Sequence, residues 1–154
     1  MMKRSQDLGQ TMIEVIVALT LIILFLSGVV IVELYAIRNA DYSRHKSQAT
    51  QLAKQQLERA RVVRDAGGIA ALDICQTTCF INYMLTPVPV TPTGPFGQSL
   101  TIVGASSYDC PLPEVTVIPE PQSYMATAVV EWGEGAQVTP VPRAELSSCI
   151  TDWR

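Results

Sequence analysis

The side chains able to do chemistry are few and far apart. Four cysteines, Cys75, Cys79, Cys110 and Cys149, lie beyond Gly67 with three, 30 and 38 residues between successive members. Zinc knuckles need paired C-x2-C spacing, and a thiol redox couple needs C-x-x-C at a helix start, so neither chemistry fits. An even number of cysteines reads instead as two disulfides, and of three connectivities Cys75–Cys79 with Cys110–Cys149 is preferred. His45 is the one histidine, which leaves no material for a metal site built on two imidazoles, and it is expected on the surface. Asp109, Glu114 and Glu120 are the best calcium candidates, yet proline-rich spacing without a compact Asp/Asn loop makes them solvated carboxylates. With no nucleophile-base pair and no phosphate-binding glycine loop, the expectation is no catalytic residue, no metal, no cofactor and no enzyme activity. One further carboxylate is out of place. Glu14 sits in the leading edge of an apolar run, where an unpaired charge costs about 2.5 to 3.5 kcal/mol at mid-bilayer and less near the interface.

The elements that must position these groups divide the chain in two. Met12 to Val32 is almost entirely apolar, whereas all ten prolines and seven of the nine glycines lie beyond Ala66. Charge divides at the same place: +3 up to Ala66 and −6 from Gly67 onward, for a net −3 over 154 residues. A single modest domain on a rod is all this length allows. The acidic head argues against nucleic acid as a partner.

Val15 to Val32 gives 18 uncharged residues, about 27 Å of helix at 1.5 Å per residue, enough to cross a bilayer core. Lys3 and Arg4 before the run place the N-terminus in the cytoplasm and the head outside, where disulfides persist. No Gly or Pro interrupts Val29 to Ala66, so a helix from Gln10 should continue for roughly 57 residues, or about 85 Å. Beyond the membrane segment, Ala49, Leu52, Ala53, Gln56, Leu57, Ala60 and Val63 recur at helical spacing. This stripe requires cover, which a sheet would supply. The basic residues Arg38, Arg44, Lys46, Lys54, Arg59, Arg61 and Arg64 read as a solvated face, and Gly67-Gly68 as the helix stop.

In the head, Ile69 to Met84 is mixed and Thr86 to Gly97 reads as an extended loop. Ser99–Val103, Val115–Ile118, Tyr124–Trp132 and Glu145–Trp153 are strand candidates, with a turn at Gly133-Glu134-Gly135. The expected class is α+β: a long N-terminal hydrophobic helix, part transmembrane and part amphipathic, packed on a small antiparallel sheet.

Gly9, Gln10, Thr11, Met12, Ile13 and Glu14, followed by Val15 to Leu24, resemble the class III leader of type IV pilins and type II secretion pseudopilins. In that family a membrane aspartyl peptidase cuts after the glycine and methylates the new N-terminus, and the fifth mature residue is glutamate. The resemblance therefore implies cleavage between Gly9 and Gln10, N-methylation of Gln10 and an assembly role for Glu14. Gln10 departs from the usual phenylalanine, which bears on methylation more than on cleavage. Val129-Val130-Glu131-Trp132 and Ile150-Thr151-Asp152-Trp153 look similar to strand endings of PilV-like minor pilins and I-type pseudopilins. The implied organisation is a leader at 1–9, a long helix at 10–66 with its membrane segment at about 12–32, and a β-sheet head at 67–154 in a pilin fold. The implied function is a filament subunit, minor pilin or pseudopilin. Its partners would be other pilins met through the N-terminal helix, the prepilin peptidase and the membrane platform of the assembly machine. The alternative is a filament-displayed binding module for adhesion, secretion substrates or DNA uptake.

Overall fold

The computed structural model describes residues 7–89, 94–105, 109–110, 123–133 and 140–151, with side chains from residue 12 onward. The chain forms two compact units, Met1–Ser43 and Arg44–Arg154. Helix α1, Asp7–Gly67, contributes its first part to one and its second part to the other.

Among its described residues the first unit is helix alone. From Met12 to Ser43 every residue is exposed, including the large apolar side chains from Met12 to Leu34. The helix begins at Asp7, three residues before the expected start at Gln10, and includes Gly9. A glycine inside a helix costs only about 1 kcal/mol, less than the surrounding helix formers return.

The second unit is an α+β domain, as the sequence leads one to expect. After α1, a 3₁₀ helix, Ile69–Gln76, leads into strands β1 (Cys79–Ile81), β2 (Pro87–Pro89), β3 (Phe96–Gly104), β4 (Ser123–Trp132) and β5 (Arg143–Thr151). They form one antiparallel sheet in the order β2-β1-β3-β4-β5. Alternation along β3 to β5 sends Leu100, Ile102, Ala126, Ala128, Val130, Trp132, Ala144 and Ile150 to one face, where they share a core with Ala49, Ala53, Leu57, Ala60 and Val63 of α1. The stripe read from helical spacing is thus the face that the sheet covers. Alanines on both layers keep the side chains short, which allows helix and sheet to approach closely.

Where α1 stops, Gly68 adopts φ +75° and ψ 179°, a conformation open almost only to glycine, and its N–H reaches the Arg64 carbonyl at 2.7 Å. The mixed segment that follows is the 3₁₀ helix. Ile69, Leu72 and Cys75 recur every third residue, the spacing that three residues per turn stacks on one side, and Leu72 and Cys75 are buried.

Three boundaries differ from expectation. Thr86–Gly97 is not all loop: Pro87–Pro89 is the edge strand β2, with Pro87 opposite Ile81 and Pro89 opposite Cys79, and β3 starts at Phe96. Proline lacks an N–H to give to a second neighbour, so an edge is the place in a sheet that accepts it. The last strand begins at Arg143, two residues before the expected Glu145, and pairs along its length with β4. Val115–Ile118, the turn beyond Gly133, and Trp153 lie outside the described residues.

Candidate functional site

The first candidate is the exposed part of α1. Backbone geometry brings Gly9, Gln10 and Glu14 into its first turns. Glu14 is exposed and forms no ion pair or hydrogen bond with any described residue. Further along, the Thr20 hydroxyl donates to the Val17 carbonyl at 2.8 Å, and Ser27 donates to Ile23 and Leu24 at 2.6 and 3.0 Å. The hydroxyls are satisfied within the helix, so the surface they leave is apolar. Its length and composition suffice to cross a membrane.

The second is the polar seam inside the head. Gln56 is fully buried in the middle of the apolar stripe. Its Oε1 accepts from the Ile81 N–H at 3.1 Å, while its Nε2 donates to the Ile81 carbonyl at 3.3 Å and to Gln98 Oε1 at 3.0 Å. One side-chain amide therefore pairs with Ile81 as a neighbouring strand would, at a point where β1 meets β3 only through Cys79 and Leu100. Arg59 Nη1 adds a second donor to the same carbonyl at 2.8 Å.

The basic face is only partly solvated. Arg38, Arg44, Lys46 and Lys54 are exposed, as expected. Arg59, Arg61 and Arg64 instead tie α1 to the sheet: Arg61 Nη2 donates to Ser148 Oγ at 2.7 Å, and Arg64 Nη1 to the Thr151 carbonyl at 3.2 Å. The Arg64 fork also closes on Asp65 Oδ1 at 2.9 and 2.7 Å. Arginine reaches these acceptors because its stem lies along the helix flank while its planar head still offers several donors. Charge periodicity alone carries no trace of this. His45 is likewise half-buried rather than a plain surface residue, edge-on to Phe96 with ring centroids 6.1 Å apart.

Both disulfides are present with the preferred connectivity. Cys75–Cys79 joins the 3₁₀ helix to β1 with Cα atoms 4.7 Å apart, and Cys110–Cys149 ties a segment between β3 and β4 to β5 with Cα atoms 5.7 Å apart. Among the described residues, no three His, Cys, Asp or Glu side chains come together to hold a metal. Glu114 and Glu120 lie outside the described residues.

In comparisons with known proteins, no family model, no curated protein and no solved structure matches this chain.

Proposed function

We propose that this chain is a type IV pilin-like filament subunit, a minor pilin or pseudopilin, assembled through α1 after removal of residues 1–9. The observation that carries this reading is the first part of α1: an apolar surface exposed on every side from Met12 to Val32, interrupted near its start by one carboxylate, Glu14. A helix hydrophobic all round must be covered, by lipid before assembly and by neighbouring helices after it. A plain anchor needs no Glu14. Cleavage after Gly9 would free an ammonium at Gln10, one turn away, and helices packed in a filament would set one subunit's ammonium against another's Glu14. Such a pair offsets two charges in a low-dielectric core and fixes the axial stagger between subunits.

On this account the N-terminus starts in the cytoplasm, the head folds outside, and the chain is a substrate of prepilin peptidase rather than a catalyst. Neighbouring pilins and the assembly platform are its protein partners. Glu14→Val tests the reading: membrane insertion and both disulfides should be retained while the amount of chain in sheared filaments falls about tenfold. Incorporation at the wild-type level would count against it.

A further inference from the structure

We propose that the open edge of the sheet, at β5, pairs antiparallel with β5 of a second copy of this chain, centred on Ala144 and with Arg143 of each copy against Glu145 of the other. The edge follows from the ladder. The Trp132 N–H donates to the Pro142 carbonyl at 3.1 Å, and β4 and β5 continue in that register. Ala144, Leu146, Ser148 and Ile150 therefore turn their backbone groups toward β4, and the odd-numbered residues between them turn theirs outward. On the other flank of β4 the Ala105 N–H donates to the Ser123 carbonyl at 2.9 Å, which obeys the same alternation. The outward groups are not equally open. Arg64 occupies the Thr151 carbonyl, and Cys149 carries the bridge to Cys110. That leaves Val141, Arg143, Glu145 and Ser147, all exposed and without a backbone partner among the described residues. The opposite edge is closed. The Asn82 N–H donates to the Thr86 carbonyl at 3.2 Å, so alternation turns Pro87 and Pro89 of β2 outward, where neither has an N–H to give. Prolines blunt an edge in this way, and β5 has none from Arg143 to Thr151.

A row of outward N–H and C=O groups is matched by another extended backbone. The charges on the edge itself select a second copy. In the antiparallel pairing centred on Ala144, Arg143 meets Glu145 of the second copy and Glu145 meets its Arg143, while Val141 meets Ser147. On the face toward the core, Ala144 meets Ala144 and Pro142 meets Leu146, which already packs against the core. Opposite charges face each other twice on one side and apolar side chains on the other. Sliding the pair by two residues sets Arg143 on Arg143 or Glu145 on Glu145, and sliding it by one sets outward backbone groups against occupied ones. No other register places Arg143 opposite Glu145. Within one strand, Arg143 Nη2 and Glu145 Oε2 are 4.0 Å apart with side chains 63% and 50% exposed, a contact too weak to compete. The pairing is isologous and closes at two copies. It goes beyond the filament reading and does not depend on it.

The test is sedimentation equilibrium of the full-length chain in density-matched detergent. The wild type should show a reversible monomer–dimer equilibrium. Arg143→Glu and Glu145→Arg each replace two opposite-charge contacts by two like-charge ones, and each should weaken dimerisation about tenfold. An equimolar mixture of the two variants should dimerise as the wild type does, because each then meets its complement. The double variant Arg143→Glu/Glu145→Arg should do so alone. Misfolding of a single variant produces neither restoration. A wild-type chain that stays monomeric would overturn the proposal, as would a mixture no stronger than its components. Single variants that dimerise like the wild type would also overturn it and would move the contact to α1. The filament reading is tested separately by the mass of the mature N-terminus, which none of these outcomes changes.

Discussion

Gln56 shows how one polar residue is accommodated in an apolar core. A buried amide costs little when its hydrogen bonds are made and much when a partner is orphaned. Gln56→Leu keeps the size but leaves the Ile81 N–H and Gln98 without their partner, although Arg59 still serves the Ile81 carbonyl. The expected loss is about 2 to 3 kcal/mol, read as a lower urea midpoint for the full-length chain in detergent with tryptophan fluorescence as the signal. A change below about 0.5 kcal/mol, the ordinary range for an unimportant surface site, would contradict the pairing. The sequence places Gln56 on the stripe but does not reveal its partner. Spacing along a helix fixes which face a residue occupies, whereas the carbonyl it meets belongs to a strand 25 residues away.

Among the elements, those with a clean period were legible. The buried face of α1 recurs at helical spacing and could be read directly, and β3 and β4 could be placed by their β-branched and aromatic residues, although which of their faces is buried came only from the structure. The short elements were not. β1 and β2 have three residues each, too few for alternation to register, and β2 carries two prolines. Their hairpin is closed by Asn82, whose Oδ1 accepts from the Met84 and Thr86 N–H groups at 2.9 and 3.0 Å, and it holds Leu85 at φ +60°. Opposite effects follow for two substitutions. Leu85→Gly should relieve left-handed strain and stabilise the head by about 0.5 to 1 kcal/mol. Gly68→Ala should destabilise it by about 1 to 3 kcal/mol, all of it local backbone strain, because an added Cβ there meets nothing within 4 Å beyond its chain neighbours. Parallel denaturant melts of the two variants check both signs. Equal midpoints would mean that neither backbone position is constrained.

At the scale of the whole molecule, two features stand out among the described residues: a head closed by disulfides and a helix whose apolar part is exposed from Met12 onward. Cys110–Cys149 spans 39 residues, and closing a loop of that size should contribute about 3 to 4 kcal/mol in the chain-entropy model. Replacing both cysteines by serine should lower the urea midpoint accordingly, and an unchanged midpoint would show that β5 holds without the bridge. The cysteine count and the compositional break near residue 66 made this division visible, while the second compact unit begins earlier, at Arg44, because the helix stripe belongs to the head's core. The central claim is that the exposed helix is an assembly element released by cleavage after Gly9. Its most direct test is the intact mass and N-terminal sequence of the chain isolated from cells. The account predicts a chain shortened by residues 1–9 that begins at Gln10, methylated or cyclised to pyroglutamate, with Gly9→Leu accumulating at full length. A wild-type chain that begins at any other residue, or Gly9→Leu shortened at the usual rate, would contradict it.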